Sequence, residues 1–300
     1  MPETAAMIEN TLTLPDGRVL GYGIYGDPAG FPVFDFHGIP GSRREAALIA
    51  DYIGRDDVCF IGMDRPGYGR SSPKRNFRIV DFPGDVVALA DQLKIAKFAV
   101  LGYSGGGPFA LACAAQIPGR LASLAVVSGV GPADIGPQGM HESNRKKFSL
   151  AQRLPWLARL MLWLVFSTLR RQPERLARQL KTIWQQMPEP DRQVLEQDQH
   201  FADGILAITR DALTSGVSGW VQEEILMTQP WQFEMNDVRV PHVQLWHGGL
   251  DRNVPVTMGR AVAGQIPNCR ATFLDNEGHI SLLYHHGREI VERLIQSGFQ

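Results

Sequence analysis

The segment Phe98–Gly106 reads FAVLGYSGG, an apolar run leading into a serine flanked by glycines, and an Ala-rich segment of helical spacing follows at residues 109–116. A serine at the centre of G-x-S-x-G, entered from a strand and left by a helix, is the nucleophile-elbow pattern. In such a turn Ser104 must adopt a strained backbone conformation, and Gly102 and Gly106 remove side chains that would collide as strand and helix close on each other. The pattern predicts that Ser104 presents its hydroxyl at the tip of a tight turn.

The composition limits the class of protein. With 300 residues, 44% of them hydrophobic, the chain can bury a substantial core, and its length fits one α/β domain with an insertion or two small domains. A net charge of -1 gives no reason to expect a nucleic-acid or anionic-membrane partner. The three cysteines are odd in number and lie in apolar segments, which favours reduced core residues. Because no basic segment followed by an apolar one opens the chain, we expect no secretory signal and a cytoplasmic location.

Strands and helices alternate along most of the chain. Six strand-like runs precede residue 128, and two more lie at Val240–Trp246 and Ala271–Leu274. Segments of helical spacing separate them, and a final helix is expected from about Leu282 to Ile295. The alternation predicts an α/β fold with a mostly parallel eight-stranded sheet flanked by helices on both faces.

Residues 132–231 break this alternation. They contain no convincing strand, only helical segments interrupted by prolines and by Gly216. A helical block inserted into one α/β pattern predicts a lid over the carboxyl edge of the sheet, where open α/β sheets bind their ligands. The predicted division is a core of residues 1–131 and 236–300 and a helical lid of residues 132–235.

The most apolar part of the expected lid is Leu154–Leu169, which Arg159 interrupts. It is too short and too charged to span a membrane, so it is either a helix packed within the protein or an interfacial amphipathic helix. Its apolar side chains either line an acyl pocket or pack the core of the lid: Trp156, Leu160, Met161, Trp163, Leu164 and Phe166. The following basic side chains are expected to be solvated rather than to clamp a carboxylate: Arg170, Arg171, Arg175 and Arg178.

Four further motifs follow predicted strands: HGIPG at residues 37–41, DRPGYGRS at 64–71, HGGLDRNVP at 247–255 and EGH at 277–279. Together with the serine motif, and in this order, they make the chain resemble the α/β-hydrolase family over nearly all of its length outside the lid. The resemblance implies a triad of nucleophile, acid and histidine in that chain order, namely Ser104, Asp251 and His279. Asp134, after the sixth strand, is the alternative acid, since some members of the family carry the carboxylate there.

These residue types suit acyl transfer. A serine hydroxyl becomes a good nucleophile when a neutral imidazole takes its proton, and a carboxylate holds that imidazole in the right tautomer. The resemblance also implies that the backbone N–H groups of Ile39 and Gly105 form the oxyanion hole. It implies structural roles for His37, His247 and Asp64. No spacing in the chain suggests a metal site or a cofactor fingerprint.

The serine at the elbow argues against the haloalkane dehalogenases and epoxide hydrolases of this fold, which use aspartate. Gly105 is expected to leave the pocket floor open to a bulkier acyl group. We therefore expect a cofactor-free serine hydrolase acting on a small carboxylic ester or lactone with an apolar acyl group. The alternatives are a carbon–carbon bond hydrolase, an aminopeptidase, a cofactor-free perhydrolase and a non-enzymatic small-molecule receptor on the same fold. The residues do not predict the oligomeric state.

Overall fold

The computed structural model describes residues 8–296. Eight strands occur in that range: β1 (Ile8–Thr13), β2 (Val19–Gly26), β3 (Phe31–Phe36), β4 (Val58–Met63), β5 (Phe98–Tyr103), β6 (Leu121–Val127), β7 (Val243–Gly248) and β8 (Cys269–Leu274). They form one sheet in the order β1-β2-β4-β3-β5-β6-β7-β8. Strand β2 is antiparallel to β1 and β4, and all other neighbours are parallel. The predicted mostly parallel eight-stranded sheet is therefore confirmed.

Eleven α-helices occur in the same part of the chain: α1 (Glu45–Ile53), α2 (Phe82–Gln92), α3 (Gly107–Gln116), α4 (Glu142–Arg153), α5 (Pro155–Arg171), α6 (Pro173–Trp184), α7 (Glu189–Gln197), α8 (Gln199–Ala212), α9 (Ser218–Leu226), α10 (Val256–Gln265) and α11 (Ile280–Gln296). Strand β4 is buried along its whole length, as expected of an apolar run covered on both faces. Helices α1 and α11 share one apolar cluster with the sheet, and α2, α3 and α10 share another. The helices thus cover both faces of the sheet.

The register of the parallel strands aligns their carboxyl ends. Phe36 at the end of β3 pairs with Gly102 of β5, and Val127 of β6 pairs with Tyr103 and with Trp246 of β7. Because these ends meet at one edge of the sheet, the loops after β3, β5, β7 and β8 are brought together there. These are the loops that carry four of the five sequence motifs.

Helices α4 to α9 lie between β6 and β7 in the chain and are joined to the rest of the protein by one buried and one partly buried ion pair. Glu223 of α9 pairs with Arg65 in the loop after β4, and Asp211 of α8 pairs with Arg43 just before α1. Whether residues 132–235 act as a lid remains a prediction. The outer ends of the predicted core, residues 1–7 and 297–300, lie outside the described residues, and so does the segment to which the expected absence of a secretory signal refers.

Several boundaries differ from the sequence prediction, and β8, for example, begins at Cys269 instead of Ala271. Strand β7 begins at Val243 instead of Val240, after Pro241, which has no N–H to contribute to a sheet ladder. Helix α11 begins at Ile280, directly after His279, instead of Leu282. Within residues 8–296, no helix is long and apolar enough to cross a membrane.

Candidate active site

The turn between β5 and α3 has the geometry that its sequence predicts. Ser104 has a φ of 52°, in the left-handed region that residues with a Cβ rarely adopt. A Cβ on Gly102 would lie 2.6 Å from Ala110 Cβ, and one on Gly106 would lie 1.8 Å from the carbonyl oxygen of Phe36. Only glycine therefore fits at these two positions, and the tight turn predicted around Ser104 is confirmed.

Ser104 lies within hydrogen-bond distance of His279, which follows β8. The Ser104 Oγ to His279 Nε2 distance is 3.0 Å, and His279 Nδ1 is 2.6 Å from Asp251 Oδ2. The other oxygen of Asp251 accepts the backbone N–H groups of Asn253 at 2.8 Å and Val254 at 2.9 Å, which fixes the carboxylate in its loop. The structure thus brings together three residues that the sequence places in separate loops.

The surroundings of His279 change its basicity in opposing directions. Burial lowers the pKa of the imidazole, but the adjacent Asp251 carboxylate outweighs burial, and the pKa is raised above its ordinary value. With Nδ1–H donating to Asp251, Nε2 is left to accept the Ser104 hydroxyl proton. This arrangement prepares Nε2 to act as a base towards Ser104.

The alternative acid, Asp134, occupies a short 3₁₀ turn, Ala133–Ile135, after β6. Its side chain is exposed. Across residues 8–296 no hydrogen bond or ion pair links it to His279. The geometry therefore favours Asp251 over Asp134 as the partner of His279.

The loop after β3 is held by a network of hydrogen bonds. Arg65 donates to the carbonyl oxygens of His37 at 2.6 Å and Gly38 at 3.2 Å, and His37 Nδ1 also donates to Gly38 O at 2.7 Å. The N–H of Gly38 donates to the Glu45 carboxylate at 3.0 and 3.1 Å. The N–H of Ile39 makes no hydrogen bond in the described part of the chain, so it is available as a donor.

The side chain of Ile39 determines the shape of the pocket floor. A Cβ built on Gly105 would lie 2.3 Å from Ile39 Cγ1 and 2.4 Å from Ile39 Cδ1. Ile39 therefore already occupies the space that a side chain at residue 105 would take. The expectation that Gly105 leaves the floor open to a bulkier acyl group is wrong.

Ser104 and His279 face a cavity of about 690 Å³ that is lined mostly by apolar side chains. Core helices contribute Leu48 and Leu283, and the inserted helices contribute many more, including Leu162, Phe166, Leu169, Leu176, Leu180, Trp184, Phe201 and Ile205. Of the six apolar residues of the expected lid that were singled out in the sequence, only Met161 and Phe166 line the cavity. The four basic residues that follow them are exposed and lie outside the cavity lining.

The residues expected to be structural make internal contacts. Asp64 is fully buried, accepts the N–H groups of Arg43 and Arg70, and pairs with the Arg43 guanidinium. His247 Nε2 donates to Val254 O at 2.8 Å, and burial lowers its pKa. These contacts stabilise the loops after β4 and β7.

Four residues of the site were missed in the sequence: Glu45, Asp191 and Glu223 lie in segments without a motif, and Arg65 lies within the motif of residues 64–71 but was given no role. Glu45 and Arg65 hold the loop after β3. The Glu223 carboxylate accepts hydrogen bonds from Arg65 Nε at 2.6 Å and from Arg65 Nη2 at 2.8 Å. Asp191 of α7 accepts the backbone N–H of His279 at 3.0 Å. Nothing in the residues around these four side chains identifies their partners, most of which lie far away in the chain.

Comparison with known proteins agrees with this architecture. Residues 32–286 match the family model described as the alpha/beta hydrolase fold. The chain is 32% identical over 136 residues to the non-heme chloroperoxidase of Streptomyces lividans, covering 43% of this chain and 49% of that protein. The chain spans about half or less of the length of the first curated relatives it matches.

Two solved structures share the fold over almost the whole chain. An α/β hydrolase fold protein from Nakamurella multipartita has a TM-score of 0.71 at 22% identity, covering 97% of this chain and 100% of that one. An esterase from Exiguobacterium antarcticum has a TM-score of 0.69 at 17% identity, covering 98% and 100%. The match of the family model, the sheet topology and the strained serine turn together show that this chain belongs to the α/β-hydrolase fold family.

Proposed function

We propose that this protein is a serine hydrolase that cleaves a carboxylic ester or lactone with an apolar acyl group. The observation that carries the proposal is the 3.0 Å contact between Ser104 Oγ and His279 Nε2 at the wall of the apolar cavity. A serine, an imidazole and a carboxylate in hydrogen-bonded sequence form the arrangement that activates a hydroxyl for acyl transfer.

In the proposed reaction, Ser104 Oγ attacks the carbonyl carbon while His279 Nε2 takes the hydroxyl proton. Asp251 stabilises the imidazolium that forms, and the N–H groups of Ile39 and Gly105 stabilise the oxyanion of the tetrahedral intermediate. The imidazolium then protonates the leaving alcohol oxygen as its bond to the acyl carbon breaks. Water, deprotonated by His279, attacks the acyl-enzyme and releases the carboxylic acid and Ser104.

We further propose that residues 132–235 form a lid that sets the acyl preference. Residues 132–235 contribute more than half of the apolar lining of the cavity that contains Ser104, and α5 contributes the most among their helices. An acyl chain seated between these helices and the core would leave water, and only its carbonyl would reach the polar groups around Ser104. Each step of the reaction proposed above is an acyl transfer to or from Ser104 or a proton transfer to or from His279.

A second candidate is a perhydrolase, which the similarity to a chloroperoxidase favours. In that reaction hydrogen peroxide attacks the same acyl-enzyme in place of water. His279 takes one peroxide proton, the O–O–H group bonds to the acyl carbon, and a peracid leaves as Ser104 recovers its proton. The two candidates share the first half of the reaction and differ in the second nucleophile.

The first test is labelling with a fluorophosphonate, which reacts with activated serines, followed by peptide mass mapping. We expect the label on Ser104 and its loss in Ser104→Ala. Ser143→Ala is the matched control, since Ser143 lines the same cavity but makes no contact with His279, and this variant should keep the label. A correctly folded protein that takes no label, or a label on another residue, would contradict the proposal.

The second test is turnover of p-nitrophenyl esters of increasing acyl length and of lactones, with and without hydrogen peroxide. We expect ester hydrolysis that Ser104→Ala lowers by at least about 10³-fold. Peracid formation that competes with hydrolysis would favour the perhydrolase. If Ser104 is labelled but no ester or lactone is turned over, the serine is activated as proposed and the proposed substrate class is overturned.

A further inference from the structure

Helix α5 exposes a stripe of large apolar side chains. Trp156 is 66% exposed, Leu160 50%, Trp163 49% and Leu164 51%, and these four residues are called the α5 patch below. The spacing i, i+4, i+7 and i+8 places them on one side of the helix. The opposite side is buried through Ala158, Phe166 and Leu169. The expectation that these four side chains line the pocket or pack the lid core is wrong.

The charge around the α5 patch is strongly positive. Residues 153–181 contain seven basic side chains and one acidic side chain, whereas the whole chain has a net charge of -1. All seven are exposed: Arg153, Arg159, Arg170, Arg171, Arg175, Arg178 and Lys181. Positive charge is therefore concentrated in residues 153–181, and the acidic residues that balance it lie elsewhere in the chain.

The α5 patch also adjoins the cavity. Met161 and Val165 follow the patch around the helix, are about half exposed, and line the cavity that contains Ser104. Ile183 of α6 is likewise exposed and lines it. The lining of the cavity therefore reaches the protein surface at Met161 and Val165, on the same helix as the α5 patch, and at Ile183.

We propose that the α5 patch docks on an anionic lipid surface, with α5 lying in the plane of the interface. Tryptophans with an apolar body and a polar N–H are suited to the boundary between headgroups and acyl chains. Exposed arginines beside an apolar stripe attract anionic headgroups, the combination typical of helices that lie on a membrane.

Charge favours this occupant over a second copy of the chain. A two-fold dimer through the α5 patch would bring together the arginines that α5 itself carries in each copy, Arg159, Arg170 and Arg171, and α5 has no acidic residue to balance them. An anionic bilayer supplies both an apolar layer and the opposite charge. The inference does not depend on the reaction at Ser104.

The test is co-sedimentation of the full chain with vesicles of phosphatidylcholine alone and with added phosphatidylglycerol, at low and at high salt. We expect binding to the anionic vesicles that weakens as salt rises. The variant Trp156→Gln/Leu160→Gln/Trp163→Gln should lower the partition coefficient by at least about tenfold. Ile8→Gln, an exposed apolar residue on β1, is the matched control and should bind like the natural protein.

A second pair of variants separates charge from apolar contact. Arg159→Gln/Arg171→Gln should weaken binding to anionic vesicles, and Arg288→Gln, an exposed arginine on α11, should not. Circular dichroism of each variant checks that it is folded. No binding to anionic vesicles at low salt, or full binding by the triple variant, would overturn the proposal. So would a dimer that the triple variant abolishes, since the patch would then be a contact between copies.

Discussion

Asp191 of helix α7 accepts the backbone N–H of His279 on its Oδ2 at 3.0 Å, although 88 residues separate them in the chain. Its Oδ1 accepts the N–H groups of Ile280 at 2.9 Å and Ser281 at 2.8 Å. These three donors are at the start of α11, where a helix has no carbonyl partners of its own and where its dipole favours a negative charge. A fully buried carboxylate of the inserted helices thus fixes the point at which α11 begins and His279 leaves the sheet edge.

Asp191→Ala is expected to lower the free energy of unfolding by about 3 kcal/mol, because three buried N–H groups lose a charged acceptor. It should also slow fluorophosphonate labelling of Ser104, since His279 loses its support. Urea denaturation and labelling rates measure the two effects. Asp203→Ala, an exposed carboxylate on α8, is the control and should change stability by less than about 0.5 kcal/mol. Equal stability of the two variants would show that the Asp191 contacts contribute nothing.

The two candidate acids can be separated by matched variants. Asp251→Asn keeps the size of the side chain but no longer favours Nδ1–H on His279, so we expect ester turnover to fall by about 10³- to 10⁴-fold. Asp134→Asn should leave turnover within about twofold, because Asp134 is exposed and has no contact with His279 among residues 8–296. Steady-state kinetics on one ester measures both. A larger loss in Asp134→Asn than in Asp251→Asn would reverse the assignment.

The sequence predicts those parts of the molecule that are encoded locally. The turn at Ser104 needs glycines within two residues of the serine, and each motif follows its own strand, so the fold and the grouping of the motifs at one sheet edge could be expected in advance. Asp191 and Glu223 act on His279 and Arg65 from helices without a motif, across 88 and 158 residues, and no local pattern pairs them.

Helix α5 shows a different limit of sequence reasoning. It is apolar on nearly every side, so its periodicity does not distinguish the buried side from the exposed one. Its tertiary packing shows which side faces the protein: Ala158 and Leu169 are buried, and Phe166 stacks on Trp220 with ring centroids 3.6 Å apart. The exposure of Trp156 and Trp163 follows from that orientation.

The pH dependence of turnover should respond to Glu45. In the proposed reaction the neutral form of His279 is the base, so turnover is expected to fall as pH drops through the pKa of His279, which lies above its ordinary value. Asp251 is the main group that raises this pKa, and Glu45 contributes in the same direction. Glu45→Gln should therefore move the acidic limb of kcat/KM to lower pH. Glu142→Gln, an exposed acid on α4, should leave the limb in place.

Glu45 should also make stability depend on pH. Burial raises its pKa to about 7 from 4.5, although the N–H of Gly38 opposes the shift. The folded protein therefore binds the Glu45 proton more firmly than the unfolded chain does, and the free energy of unfolding falls as pH rises from about 4.5 to about 7. Glu45→Gln should remove this part of the decline. Urea denaturation at pH 5 and pH 8 measures it, and an unchanged slope would contradict the assignment.

The packing of Ile39 against Gly105 predicts a non-additive pair of mutations. In Gly105→Ala the new Cβ would meet Ile39 Cγ1 at 2.3 Å and Ile39 Cβ at 3.2 Å, so the Ile39 side chain must shift, and we expect this shift to displace its backbone N–H. Losing one oxyanion donor lowers kcat by about 10²- to 10³-fold in similar sites, and we expect a loss approaching that range.

Ile39→Ala removes Cγ1 and Cδ1 and leaves its Cβ 3.2 Å from the position of the new methyl group. In the Ile39→Ala background, Gly105→Ala should therefore lower kcat much less than it does in the natural protein. The kcat values of the four proteins complete a double-mutant cycle, with fluorophosphonate labelling as a check that each variant has an assembled site. If the kcat loss of the double variant is the product of the two single losses, the loss caused by Gly105→Ala does not act through Ile39. In that case the N–H of Ile39 is not the donor that the new methyl group at residue 105 displaces.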